Sequence, residues 1–365
     1  MSRLAGRLAL SARVARRWLG GAPKRAVGVE RILIAHRLLL GDTLMLTPLV
    51  KKLRTLHPRV EIHLAMQPAF VPLFATRPYD VIARPLDLHR VASVRELLDD
   101  VHFDLAFVPG DNRHSWLAYS AGARQIIAHA GDRPAWKNWP LTDEVPYSAT
   151  PAAWADMVAM LAPGPAPTPY VPSEWPAPPC RPFARPSAPY VVLHVGASNV
   201  LRTWFADRWR ELAQQLRARG MTVVLSAGAS EIEYAQAVDP EQKIQSFAGA
   251  LDLPQLWHLL AGARLLICPD TGIAHLGRLT GTCTIALFGQ GSPALFGAGD
   301  FWRDAPFAAV GEVEFPCRDQ HRLFRREVSW VNRCDRRPPA CLHARCMEGI
   351  TVERVLEVAS QRGWC

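Results

Sequence analysis

Short, strongly apolar runs alternate with helix-period segments on both sides of a proline-dense stretch, and that alternation limits what this chain can become. Parallel strands can be joined only by a long return connection, usually a helix, so this order of elements is the signature of parallel α/β units. In the first half the strand candidates are 31–36, 60–65, 103–108 and 124–129; in the second they are 190–195, 221–226, 264–268 and 282–287. Each is short and largely apolar, as strands covered on both faces must be. Between the two sets, prolines such as Pro163, Pro165, Pro167, Pro169, Pro176, Pro178 and Pro179 come too densely for a helix or a central strand. That stretch reads as a semi-rigid linker.

The expected organisation is therefore a basic leader over 1–29, an α/β domain over 30–162, a linker over 163–189, a second α/β domain over 190–310, and a Cys/Arg-rich end with a final helix over 311–365. A chain of 365 residues is long enough for two cores. Ligands of open parallel sheets bind beyond the carboxyl ends of the strands, so two such halves would naturally share a ligand across a cleft. Helices are readable near those ends. Leu46, Leu49, Val50, Leu53 and Leu56 keep helical spacing, with Lys51, Lys52 and Arg54 left to the polar side. Later, Asp207 is the expected N-cap of a helix that buries Trp209, Leu212, Ala213 and Leu216 and stops at Gly220; Ser230 would cap the next.

The formal charge of +9 is concentrated in the leader, where Arg3, Arg7, Arg13, Arg16, Arg17, Lys24 and Arg25 meet no acid. Leu4, Leu8, Ala15, Trp18 and Leu19 between them could form the apolar face of an interfacial helix on anionic lipid, or the segment is a frayed basic terminus. The same composition resembles a transit peptide, while arginines interrupt every candidate secretory core. No apolar run is long enough to span a bilayer. The expectation is a bacterial cytoplasmic protein, with a peripheral contact at the inner membrane. A basic surface also raises nucleic acid, but no recognition motif or aromatic-interleaved platform accompanies the charge, so no nucleic-acid partner is expected.

Three constellations carry chemistry. Gly41, Asp42 and Thr43 fall in the turn between the first strand and the first helix, where Asp42 either caps the helix or serves as a general base. Asp270, Thr271, Gly272 and His275 follow a strand and enter a helix, whose unpaired amides suit a diphosphate; the plain alternative is a helix cap with a core histidine. Gly196 and Ser198 suit a loop that phosphate approaches, Arg202 is a cation able to neutralise a leaving nucleotide, and Glu231 could receive ribose hydroxyls.

Absent motifs narrow the class. There is no phosphate-binding G-x-x-x-x-G-K-[ST] loop and no G-x-S-x-G elbow, and Gly289-Gln290-Gly291 lacks the third glycine of a dinucleotide fingerprint. No two aspartates stand at D-x-D spacing, so cations and helix amides would replace a metal on the diphosphate. Of eight cysteines, Cys317, Cys334, Cys341 and Cys346 crowd the end at C-x16-C-x6-C-x4-C, without the close pairs usual for structural zinc. They could hold a metal, form disulfides or stay free.

Taken in order, Leu40-Gly41-Asp42-Thr43-Leu44-Met45-Leu46-Thr47-Pro48, His194-Val195-Gly196-Ala197-Ser198 with Trp204, Asp270-Thr271-Gly272 with His275, and Leu287-Phe288-Gly289 with Ser292-Pro293 resemble glycosyltransferase family 9, the heptosyltransferases. The resemblance covers roughly 30–300, and the end from Cys341 and Cys346-Met347 is similar to the cysteine-bearing end of many members. It implies a GT-B fold of two Rossmann-like domains with parallel sheets facing across a cleft, and inverting, metal-independent transfer without a required cofactor. It further implies ADP-heptose as donor and a lipopolysaccharide-core or related anionic glycolipid as acceptor. By the same resemblance Asp42 is the base, Gly41, Thr43 and Arg37 lie against the acceptor, and Gly196, Ser198, Arg202, Glu231, Asp270, Thr271, Gly272 and His275 hold the donor. Arg202 stands where the family often has lysine, and His36-Arg37-Leu38-Leu39 is bulkier than the family's usual lead-in. Another nucleotide sugar with a capsule, glycan or protein acceptor is the alternative, and a catalytically silent nucleotide- or glycolipid-binding scaffold is a third.

Overall fold

A computed structural model describes Val14 and residues 28–99, 102–187, 189–312 and 314–365. Apart from Val14, Gly28 and Val29, the basic leader lies outside the described residues. The chain divides into two compact units. The first runs to Thr150 and adds Ala155–Thr168 and Arg322–Ser329; the second holds Pro151–Trp154, Pro169–His321 and Trp330–Cys365.

In the first unit, strands β1 (Arg31–Ile34), β2 (Glu61–Met66), β3 (Val81–Pro85), β4 (Leu105–Val108), β5 (Gln125–His129) and β6 (Asp143–Val145) form one sheet in the order β3-β2-β1-β4-β5-β6. Every pairing is parallel. The order reverses direction between β1 and β4, the switch point at which open sheets bind ligands. Helix α1 (Leu40–Leu44) follows β1 and leads directly into α2 (Thr47–Leu56), which starts with Pro48 in its first turn. Helices α3 (Val91–Asp99) and α4 (Ser115–Ser120) follow β3 and β4. Lys52, expected on the polar side, is buried instead: its ammonium donates to the carbonyls of Ala159 at 3.1 Å and Gly164 at 2.9 Å.

The second unit repeats the plan. Strands β7 (Tyr190–His194), β8 (Thr222–Ser226), β9 (Gln245–Ser246), β10 (Leu265–Pro269), β11 (Cys283–Leu287) and β12 (Phe307–Val310) are ordered β12-β11-β10-β7-β8-β9, again parallel throughout. Read from its far edge this is the same order as in the first unit, with the switch point between β7 and β10. Both central strands are buried along their whole length, which explains their unbroken apolar sequences. Helices α5 (Ala206–Ala218), α6 (Ile232–Val238), α7 (Leu253–Ala261), α8 (Gly272–Thr280) and the final α9 (Val352–Gln361) surround the sheet.

Trp209, Leu212, Ala213 and Leu216 form the buried stripe of α5, and the Trp204 and Trp209 rings meet edge to face at 4.9 Å. Two expected caps move. Phe205, not Asp207, precedes α5, and Asp207 lies in its first turn; Gly228, not Ser230, starts the turn that leads into α6. The proline-dense stretch from Pro169 onward is fastened to the second unit by aromatics. Tyr170 donates its hydroxyl to Leu279 O at 2.7 Å, and the Trp175 ring lies 6.0 Å from that of Trp257.

The tail crosses between units. Strands β13 (Arg322–Leu323) and β14 (Arg326–Glu327) make a hairpin that belongs to the first unit, turning through Phe324 and Arg325 at φ 45° and 64°. Arg326 is its anchor, buried to 3 % exposure. Its guanidinium donates to Gly110 O (2.7 Å), Ala130 O (2.8 Å), His129 O (3.0 Å), Phe324 O (3.0 Å) and Asn112 Oδ1 (2.6 Å). Arg318 is likewise buried and donates to Gly289 O at 2.6 Å. These two arginines therefore leave the dense basic set read in the tail, of which Arg322 and Arg325 stay exposed.

Candidate active site

In the first unit, β1 ends at the switch point and the chain turns through His36-Arg37-Leu38-Leu39 into α1. Leu39 is the N-cap, so Asp42 does not cap the helix; it sits half-buried in the first turn, where helix amides favour negative charge. Gly41 and Thr43 are buried beneath it, and the Thr43 hydroxyl donates to Leu39 O at 2.9 Å. Arg37 is exposed on the same loop. His36 is fully buried, its Nδ1 accepting from Leu38 N at 3.1 Å, and burial, then the field of His114, lowers its pKa to about 3. It stays neutral and pins the loop that carries Arg37 and leads to Asp42.

In the second unit, the loops that follow β7 and β10 meet at the other switch point. Arg202 donates from Nη1 to Asp270 O at 3.0 Å, and the same nitrogen lies 3.7 Å from Asp270 Oδ2. Asp270 is buried, and Oδ2 accepts no hydrogen bond. Burial raises its pKa, opposed by the fields of Arg202, Arg278, Arg333 and Arg318. Arg202 is the guanidinium nearest this carboxylate, while Arg278 and Arg318 are bonded to the carbonyls of Phe296, Gly297 and Gly289. Thr271 is the N-cap of α8, its Oγ1 accepting from Ile273 N at 3.4 Å, and Gly272 is the first helical residue. Amides, a glycine and the Arg202 cation converge as an anion requires.

His275, one turn into α8, is buried with Nδ1 unbonded, and burial holds it well below the usual imidazole range. Ser198 is exposed on the loop after β7, and Asn199 caps the turn Val200–Arg202 and donates to Gln290 Oε1 at 2.6 Å. Glu231 reaches back to accept from Gly228 N at 2.8 Å, and its carboxylate lies where a side chain on Gly196 would begin. Gly291 does the same for Asp270, since a Cβ there would overlap Oδ2. The Gly289-Gln290-Gly291 segment is thus a packing partner of the site, which its sequence did not disclose.

The eight cysteines are free thiols. Burial raises the Cys317 thiol, with Cys334 adding to the shift, and burial raises Cys346 to about 11. Among the described residues, no group of three or more His, Cys, Asp or Glu side chains could hold a metal ion.

Residues 162–316 match the model of glycosyltransferase family 9 (heptosyltransferase). Lipopolysaccharide heptosyltransferase 1 of Pseudomonas aeruginosa is 36 % identical over 116 residues, 32 % of this chain and 33 % of that protein. Lipopolysaccharide heptosyltransferase 3 of Escherichia coli is 30 % identical over 141 residues, 36 % of this chain and 40 % of that protein. Over that segment the chain is similar to the heptosyltransferases of glycosyltransferase family 9. The sequence matches span a third to two fifths of the length of these relatives. In structure the likeness is wider: E. coli ADP-heptose lps heptosyltransferase II superposes with a TM-score of 0.68 at 20 % identity, over 91 % of this chain and 98 % of the other. At that identity the likeness concerns the fold, and it agrees with the GT-B class that the sequence resemblance implied. The family match contains Gly196, Ser198, Arg202, Glu231 and the 270–275 turn, whereas Asp42 lies outside it.

Proposed function

We propose that this chain is a glycosyltransferase that moves heptose from ADP-heptose to a lipopolysaccharide-core acceptor, with inversion and without a metal. The observation that carries this reading is the start of α8, where Thr271, Gly272 and Arg202 gather amides and a cation around a strand end. There the donor diphosphate is held, with His275 toward the sugar, Ser198 and Gly196 on the loop beside it, and Glu231 toward the nucleoside. The first unit supplies Asp42, which takes the proton of an acceptor hydroxyl as that oxygen attacks the anomeric carbon and the nucleoside diphosphate departs. Gly41 and Thr43 shape the turn that presents the carboxylate, and Arg37 lies against the anionic acceptor. Guanidinium and helix dipole take the leaving-group charge that a cation would otherwise carry. Among the described residues no helix is long and apolar enough to cross a membrane. The proposed place is the cytoplasmic face of the inner membrane.

A second reading keeps the mechanism and changes the donor. Arg202 spends one nitrogen on Asp270 O, a bond that fixes its fork, so its charge meets the diphosphate in a different geometry from a lysine. A thermal-shift panel of ADP, UDP, GDP and their sugars decides between them, because only a ligand bound by the folded state raises the melting temperature. Release of ADP from ADP-heptose on addition of core acceptor supports transfer. Release of UDP or GDP from another sugar selects the second reading, and nucleotide binding without release leaves a scaffold.

A further inference from the structure

Beside the loop proposed for the acceptor, the carboxyl edge of the first sheet carries exposed aromatic rings to which the proposed transfer gives no role. β1, β4 and β5 are parallel neighbours, so the loops that leave them emerge on one edge. Trp116 in α4 and Trp136 and Trp139 from the turn after β5 gather there. The Trp116 indole donates to Trp136 O at 3.0 Å, and its ring meets that of Trp139 edge to face at 6.5 Å. Trp139 is nevertheless 72 % exposed and Trp136 44 %, while Leu39, on the loop after β1, is 65 % exposed.

Cations surround these apolar groups. Arg37, Arg113, Arg133 and the hairpin residue Arg325 are exposed on the same group of loops. The hairpin is held there by the bonds of Arg326 to Gly110 O and Ala130 O, just past β4 and β5. The nearby acids are paired on the spot: Asp111 lies 2.8 Å from both Lys137 and Arg113, which takes Arg113 out of the free set, and the buried Asp132 lies 3.0 Å from Lys137. An exposed indole pair among arginines matches the boundary between lipid headgroups and acyl chains, where amphipathic rings rest and phosphates lie in reach.

We propose that this edge docks on an anionic lipid surface, with Trp136 and Trp139 seated at the headgroup boundary and Arg133 and Arg325 against phosphates. The proposal deepens the peripheral-membrane reading above and rests on it for the place of the protein. Its test does not involve sugar transfer, so either can fail alone. The full chain, basic leader included, is sedimented with phosphatidylcholine vesicles and with vesicles containing about one third phosphatidylglycerol. The wild type is expected to bind the anionic vesicles and to lose binding as salt rises. The double variant Trp136→Ser/Trp139→Ser should partition roughly tenfold more weakly, and Arg133→Gln/Arg325→Gln should lower the anionic preference. Trp139→Ser alone, at the most exposed ring, keeps the comparison open if the double variant folds poorly; it should still weaken binding. Equal binding to neutral and anionic vesicles overturns the proposal. So does wild-type-like binding of the folded tryptophan variants, which would assign attachment to the leader and leave the indoles for a soluble glycan.

Discussion

The Glu231 carboxylate occupies the space that a side chain on Gly196 would need, and one of its oxygens accepts from Gly228 N at 2.8 Å. The loop after β7 and the turn before α6 are therefore locked to each other through an acid and a glycine. Replacing Gly196 with Ala should drive Glu231 off its cap, at a cost of about 1 kcal/mol for the lost cap alone. Donor-induced thermal stabilisation should also fall, since the acid proposed for the nucleoside is displaced. Unchanged stabilisation by donor would remove Glu231 from the site.

Asp42 stands in the first turn of α1, whose N-cap is Leu39. Asp42→Asn should lower turnover by about 10²- to 10⁴-fold, the range of a positioned general base, while the donor still raises the melting temperature. Comparing single-turnover rates with donor-dependent melting separates the two effects. Turnover within a factor of about three of wild type would mean that another group takes the proton.

Arg326 satisfies acceptors on two segments of the first unit, after β4 and at the end of β5, from a position reached late in the chain. Arg326→Met keeps the bulk but strands those acceptors, while Asp132, 3.8 Å away, keeps Lys137 and the Asn112 amide. Breaking one partner of such a buried set costs about 3–5 kcal/mol. The variant should melt earlier, with limited proteolysis cutting first near 322–329. A melting curve that overlays wild type would show the anchor to be dispensable.

Buried neutral histidines set the response to acid. Burial lowers His36 and His129 to about 3 and His194 to about 4. In the unfolded chain they take up protons below about 6.5, so there the unfolded state binds more of them and stability falls as pH falls. The loss continues until the folded values are reached, at up to about 1.4 kcal/mol per pH unit for each residue. Urea midpoints at pH 7.5, 6 and 5 should drop steadily; a flat series would mean that these rings are protonated in the folded protein.

The central strands and α5 were legible because burial on both faces, or on one stripe, writes itself into residue type. The sheet margins were not. β3 contains Arg84 and ends at Pro85, β9 is only Gln245–Ser246, and neither carries an apolar run to betray pairing. Caps slipped by two residues for a related reason: Asp207 and Ser230 have the right chemistry, but Phe205 and Gly228 hold the extended backbone that begins each turn. The switch-point turn at Asp270-Thr271-Gly272 was found because cap and glycine leave a local signature. The Gly291 contact with Asp270 has no local signature, being a meeting of two strand ends. Arg326 was hidden among like neighbours, since nothing adjacent distinguishes an arginine bound for carbonyls from one bound for water.

Because β13 and β14 complete the first unit only after the second sheet has been traversed, its folding cannot finish while the ribosome is still making that sheet. A nascent chain stopped at the proline-dense stretch would carry the Gly110, Ala130 and His129 carbonyls without their guanidinium. The order of synthesis and the order of completion differ, and a chaperone or a slow exit from the tunnel would have most to contribute in that interval.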